Sequence, residues 1–277
     1  CRRLHMTYCV NVQGLGTAFE KPGLSQVVTM MYRTALKGAK TVFFENERNA
    51  ALFREKKITP AKQQTILSGA GITLDFYQYE AYPENEAFHF LYLGRIMKEK
   101  GMDELFYAIR RLHKEYGGKV VLDIVGFFED EYKGEVEKLV EDGIAVFHGF
   151  KEDPRPYYKA ADCIVLPSYH EGMSNVLLEA ASTGRPVVTS KIPGCMESVE
   201  DGTTGYLCQV KNAHSLYQKM NEIYHKSRAD REEMGKCARD KMAREFAKDE
   251  VVKMTVGSVW RSVSYTHLRA HETLSDL

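Results

Sequence analysis

The chain has 277 residues, 44% of them hydrophobic, and its 38 Lys and Arg balance 38 Asp and Glu for a formal net charge of +0. That length supports a sizeable core and one or two domains, and the balanced charge argues against nucleic acid as the main partner, because phosphate-backbone binders carry a basic surplus. The six cysteines form no CxxC pair, no apolar run nears the ~20 residues that span a bilayer, and no charged-then-apolar leader opens the chain, so the expectation is a soluble, cytoplasmic protein with reduced thiols.

In chain order, 26–36 patterns as a helix, 41–44 as a strand, 46–56 as a helix and 65–67 as a last short strand. That is part of an α/β unit, too little to close a sheet of its own. The glycines of 69–71 and the Pro-containing 82–86 stretch read as a linker. From residue 86 onward, apolar runs at 88–93, 120–125, 144–147, 162–166, 186–189 and 205–208 read as strands. They are near-continuously apolar, as in a parallel sheet covered on both faces. Helical patterns lie between them at 102–116, 131–142, 155–161, 175–183 and 213–225, with Met102, Leu105, Phe106, Ile109 and Leu112 forming one apolar stripe. This alternation predicts βαβ units with right-handed crossovers in a doubly wound parallel sheet. Two further helices, 228–246 and 249–261, follow it.

Ligands of such sheets bind beyond the carboxyl ends of the strands, so the strand-to-helix turns carry the chemistry. After the 88–93 strand comes GRIMKEKG, 94–101. Gly94 permits a sharp turn, and Arg95 and Lys100 project beside the helix that opens near Gly101. Two cations at a positive helix end suit a diphosphate, although alone they could be a solvated basic loop. After the 162–166 strand, Glu171, Gly172, Met173, Ser174 and Asn175 lead into a helix that carries Glu179. Gly172 allows close backbone approach, and the first amides of the helix point at whatever sits above them. An isolated E-x7-E pair is weak evidence, since a Glu near a helix start is also good dipole chemistry. Its place opposite a two-cation loop is what gives it weight.

GR at 94–95 with KG at 100–101, LPSYHEG at 166–172 with LEA at 178–180, GRPVV at 184–188, DGTTG at 201–205 and GAGITLD at 69–75 together resemble family 4 of the glycosyltransferases. The likeness runs from about residue 10 to 262 and is strongest to the bacterial capsule, O-antigen and lipid-linked oligosaccharide branch. It implies the GT-B fold: two Rossmann-like domains, with a cleft between the halves. It also implies retaining transfer of a hexose or N-acetylhexosamine from a nucleotide sugar, UDP-linked by expectation, to a glycan or polyprenyl-diphosphate-linked acceptor. By the same resemblance, Arg95 and Lys100 grip the donor diphosphate, Glu171 lies beside the donor sugar, the backbone of Gly172 to Asn175 cradles phosphate and sugar, and Glu179 accepts from ribose hydroxyls. Arg95, Lys100 and Glu171 are the expected catalytic set, with Gly94 among the donor-binding residues. The base is expected near Gly126 and Phe150.

The expected organisation is then 1–82 as the end of the acceptor-side domain plus linker, 83–247 as the nucleotide-sugar domain, 248–263 as a helix crossing back to the first domain, and 264–277 as an artefactual tail that resembles adapter read-through. Starting abruptly at Cys1, the chain reads as N-terminally truncated, and this fragment alone is expected to bind UDP weakly and transfer little. No cofactor beyond the nucleotide-sugar substrate is expected, and no metal: there is no Asp-x-Asp, and Glu129-Asp130-Glu131 reads as a solvated charge run. The segment 14–19 is a candidate acceptor contact. Asn46 is expected to cap a helix and Glu45 follows a strand. The basic-apolar stretch 30–40 fits either an ordinary amphipathic helix or a peripheral contact with the inner face of an anionic membrane.

Three other readings compete. A UDP-sugar epimerase shares the architecture, but its acid–base residues are not evident. A dinucleotide dehydrogenase would want G-x-G-x-x-G after its first strand, which 94–101 lacks. A nucleotide-sugar-binding fragment without transfer activity fits the truncated chain.

Overall fold

The computed structural model describes residues 6–15, 19, 21 and 23–272, with side chains to Arg261. It divides into two compact units, Cys1–Gly71 with Phe246–Leu277 and Ile72–Glu245.

In the first unit β1 (Cys9–Val12), β2 (Thr41–Phe44) and β3 (Gln64–Ile66) form a parallel sheet in the order β1-β2-β3. β1 has no counterpart among the strands expected from the sequence; it is four residues long and exposes Asn11, so it carries little apolar pattern. Helices α1 (Leu24–Leu36) and α2 (Glu47–Glu55) accompany the sheet. Asn46 caps α2 by accepting from the Asn49 amide at 2.9 Å, which satisfies one of the helix's orphan donors. Phe44 and Phe53 meet edge to face in the core. Of α1 only Leu36 is buried, while Leu24, Val27, Met30 and Met31 are exposed. The last helix, α9 (Lys248–Glu272), belongs to this unit, with Val251 packed on Phe43 and Leu67. The candidate acceptor segment 14–19 includes 16–18, which lie outside the described residues, as do the side chains of 264–277.

The second unit holds β4 (Phe88–Leu93), β5 (Val120–Val125), β6 (Ala145–Gly149), β7 (Cys163–Leu166), β8 (Val187–Ser190) and β9 (Gly205–Cys208). All pairs are parallel, in the order β6-β5-β4-β7-β8-β9. Helices α3 (Met102–Glu115), α4 (Lys133–Glu141), α5 (Arg155–Ala160), α6 (Asn175–Ser182), α7 (Ala213–His225) and α8 (Arg228–Glu245) complete it. This is an α/β, doubly wound, Rossmann-like fold. All residues of β7 and β8 are buried, and α3 buries Met102, Leu105, Phe106, Ile109 and Leu112, each contributing about 1.5–3 kcal/mol of apolar burial.

Segment 72–82, grouped from the sequence with the first domain and its linker in 1–82, packs with this second unit instead. Two arginines explain it. The fully buried Arg185 guanidinium donates to the carbonyls of Glu80 and Ala81 as well as to Tyr158 and Lys159 on α5. Arg239 on α8 donates to the carbonyls of Leu74 and Tyr77. Among the described residues no helix is long and apolar enough to cross a membrane.

Candidate functional site

The strand order of the second unit reverses between β4 and β7, and such switch points open a crevice at the carboxyl ends of the strands. The two segments singled out in the sequence leave the sheet at this place. β4 runs into Gly94, whose φ is +152°. A Cβ on the neighbouring Gly126 (φ +155°) would lie 1.8 Å from the Gly94 carbonyl oxygen, so the two strand tips approach as only glycine permits. Beyond them, Lys98–Lys100 form one 3-10 turn ending at Gly101 (φ +76°). A Cβ on Gly101 would meet the Pro167 carbonyl at 2.2 Å. The Tyr169 amide donates to the Glu99 carbonyl at 2.8 Å, so the exits of β4 and β7 are stitched together.

That stitching brings Lys100 to Glu171: Nζ donates to Oε1 at 2.7 Å, with the side chains only 17% and 13% exposed. Arg95 leaves the same strand tip but turns aside, donating from Nη1 to both oxygens of Glu129 at 2.8 and 3.1 Å. It is half-exposed there. The charge run at 129–131 is therefore not merely solvated: Glu129 holds Arg95, and Asp130 accepts from the Lys98 amide at 2.8 Å.

Of the amides expected to be available over Gly172, Met173, Ser174 and Asn175, that of Ser174 is already committed, donating to the Gly194 carbonyl at 2.9 Å. Gly194, at φ +87°, is pressed so close that a Cβ would lie 2.5 Å from the Gly172 carbonyl. The loop after β8 thus buttresses the start of α6, and Met173 and Ser174 are buried under it.

Glu179 lies in the second turn of α6, partly exposed. Its Oε2 accepts from the Tyr158 hydroxyl on α5 at 2.8 Å. Burial pushes its carboxyl above the usual range, and hydrogen bonds from Tyr158 and Tyr77 pull it partly back. Neither tyrosine is signalled by a motif in the sequence, since their role depends on the packing of α5 and segment 72–82 on α6. His148 and His89 both donate to the Asp123 carboxylate, each at 2.7 Å. Phe127 and Phe150, at the tips of β5 and β6, form an exposed edge-to-face pair with centroids 6.2 Å apart. Among the described residues no group of three or more His, Cys, Asp or Glu is arranged to hold a metal ion.

The family model for glycosyl transferases group 1 matches residues 87–226, half of the chain and most of the second unit. The chain belongs to this family. It is 26% identical over 207 residues to the capsular polysaccharide biosynthesis glycosyltransferase CapM of Staphylococcus aureus, covering 71% of this chain and 53% of CapM. It is also 26% identical over 228 residues to the N,N'-diacetylbacillosaminyl-diphospho-undecaprenol alpha-1,3-N-acetylgalactosaminyltransferase of Campylobacter jejuni, covering 76% and 59%. The chain thus spans little more than half the length of these relatives. In fold it is similar to Anabaena HepE (Alr3699) in complex with UDP, with a TM-score of 0.82 at 18% identity over 94% of this chain and 74% of that one. Sucrose-phosphate synthase from Thermosynechococcus elongatus gives 0.78 at 22% identity, covering 96% and 70%. These neighbours place the group 1 chain in the GT-B fold.

Proposed function

We propose that this group 1 chain carries the donor half of a retaining glycosyltransferase, one that moves a hexose or N-acetylhexosamine from a UDP-sugar to a glycan or lipid-linked glycan acceptor in cell-surface polysaccharide synthesis. The observation that carries the reading is the Lys100–Glu171 contact at the switch point, with Arg95 on the same strand tip. Breaking a glycosyl phosphate bond leaves an oxocarbenium-like sugar and a strongly anionic diphosphate. Cations fixed where that charge develops stabilise the transition state, each by about 3–4 kcal/mol. Lys100 and Arg95 take the diphosphate, Glu171 stands beside the sugar, Gly94 and the Gly172–Asn175 backbone, apart from the committed Ser174 amide, admit close approach, and Glu179 accepts from ribose. The base lies toward Phe127 and Phe150. The acceptor hydroxyl attacks the face the nucleotide leaves, its proton passing to the departing phosphate, so no side-chain nucleophile and no metal step enters.

The two names that mention capsular polysaccharide and a diphospho-undecaprenol substrate support the acceptor class. The exposed Leu24, Val27, Met30 and Met31 of α1, next to Arg33, Lys37 and Lys40, support peripheral contact with the cytoplasmic face of a membrane. A second reading, donor binding without transfer by this chain, is favoured by its coverage of only 53–59% of the two relatives.

Binding is tested by saturation-transfer NMR with UDP and GDP, and transfer by presenting UDP-sugars with a polyprenyl-diphosphate-linked acceptor. In a transferring enzyme, Arg95→Ala lowers turnover by about a hundredfold or more. Near-normal turnover refutes the assignment of Arg95. Absence of saturation transfer from either nucleotide at millimolar concentration refutes the donor reading.

A further inference from the structure

Glu179 is held in an unusual way for a partly exposed carboxylate near a helix start: among the described residues no ion pair to it is seen, and the groups beside it are two phenols. Tyr158, wholly buried on α5, donates to Oε2 at 2.8 Å. Tyr77, on segment 72–82, lies beside the same carboxylate and favours its charged form. The two rings meet edge to face with centroids 6.3 Å apart.

Both phenols are themselves anchored to the far end of α6. Arg239 donates at once to the Tyr77 carbonyl at 2.6 Å and to the carbonyl of Ser182, the last residue of α6, at 2.9 Å. Arg185, three residues beyond α6, donates from Nε to the Tyr158 carbonyl at 3.0 Å. Its other nitrogens reach the carbonyls of Lys159, Glu80 and Ala81. So the helix that carries Glu179 also fixes the two residues that grip it.

We infer that Tyr77 and Tyr158 are positioning residues for nucleoside recognition, a two-point clamp that aims the Glu179 carboxylate at the vicinal hydroxyls of a ribose. The inference rests on the donor-site reading above and adds to it which residues make Glu179 selective. A carboxylate offers about four acceptor positions, so the Tyr158 hydrogen bond and the neighbouring Tyr77 leave room for ribose while restricting the side chain. They also act on its charge. Burial alone favours the neutral acid, which would offer ribose a weaker acceptor, and the two hydroxyls oppose that by bonding the anion. Of the charged groups near Tyr77, Asp153 and Arg155 are bonded to each other at 2.7 and 2.8 Å, Glu80 pairs with Lys159 at 2.9 Å, and Asp75 lines the same cavity. The two ion pairs largely cancel at the clamp.

The test measures affinities of this chain for UDP and 2′-deoxy-UDP between pH 6 and 9, in the wild type, Tyr77→Phe, Tyr158→Phe and the double variant. Phe keeps the ring and removes only the hydroxyl. The wild type prefers UDP over 2′-deoxy-UDP by about tenfold, the factor of one charge-assisted hydrogen bond. Each single variant narrows that preference severalfold and the double variant abolishes it. In the double variant the acid-side loss of UDP affinity begins at a higher pH than in the wild type, which a change in packing alone would not produce. If the wild type shows the preference and both Phe variants keep it at unchanged pH dependence, the clamp is wrong and the donor reading stands. If the wild type shows no preference for the ribose, the Glu179 assignment fails and the clamp falls with it. Should Tyr158→Phe fail to fold, Tyr77→Phe, at a partly exposed position, decides the matter by the same ratio.

Discussion

Replacing Lys100 by Ala isolates the proposed phosphate contact. The ammonium is 17% exposed and already bonded to Glu171 at 2.7 Å. A phosphate oxygen about 4 Å away, at the effective dielectric of a partly buried site, attracts it by about 4 kcal/mol. Part of that is returned, because the same ammonium must share itself with Glu171. The net gain is that of a charge-assisted hydrogen bond, about 1.5–3 kcal/mol, so Lys100→Ala weakens UDP about 10- to 100-fold. Uridine has no phosphate and keeps its affinity within about twofold. Glu171→Gln moves UDP the other way, since it removes both the competitor for Lys100 and a negative charge beside the diphosphate. Calorimetric titration with uridine, UMP and UDP reads all three, with thermal unfolding of each variant to confirm the fold. If Lys100→Ala weakens uridine as much as UDP, or leaves UDP unchanged, Lys100 is not a phosphate ligand and the switch-point reasoning fails.

Two further outcomes concern stability. Burial of Glu45, 7% exposed at the end of β2, raises its carboxyl from 4.5 to about 6. The fold therefore favours the protonated acid, so the group's contribution is fully present below pH 4.5 and is lost as pH rises through about 6, a loss of up to ~2 kcal/mol. Glu45→Gln raises stability by up to that amount at pH 8 and by almost nothing at pH 4.5 relative to the wild type, as urea unfolding at the two pH values shows; an equal gain at both would contradict it. Gly101→Ala places a Cβ 2.2 Å from the Pro167 carbonyl at a φ of +76°, adding about 1–3 kcal/mol of strain and separating the β4 and β7 exits. It lowers the melting temperature and weakens UDP together, and wild-type values of both would show that the stitch is not needed.

The second unit was legible in the sequence because its strands are buried on both faces. Runs such as 88–93, 120–125 and 205–208 coincide with β4, β5 and β9, and periodicity placed α3 and α7. β1 was missed for the opposite reason, being short and half-exposed in a small sheet. At the site, the residue types and their strand-end positions could be read from the chain, and so could the convergence of Lys100 with Glu171. What could not be read was partner choice. Glu129 holding Arg95 and two phenols holding Glu179 join residues from separate elements. No spacing rule connects them, so only the packed structure shows which charges meet.

Those partner choices have a physical consequence. Both cations at the switch point are matched by a carboxylate of the chain, Arg95 by Glu129 and Lys100 by Glu171, in a protein whose overall charge is zero. The crevice therefore carries no strong positive field to attract polyanions in general. On the proposed donor reading, an incoming diphosphate gains by exchange: it takes donors from carboxylates that can turn toward water or toward sugar hydroxyls. The half-exposed Arg95–Glu129 pair is worth little, about 0–1 kcal/mol, so Arg95 is released at small cost. The more buried Lys100–Glu171 pair is held more firmly, and its carboxylate would be desolvated if simply abandoned. A ligand that supplies hydroxyls as well as phosphate therefore exchanges with this pair at the lowest cost. A nucleotide sugar offers both halves of that exchange, a diphosphate for the cations and a sugar for the displaced carboxylate, whereas inorganic diphosphate offers only the first.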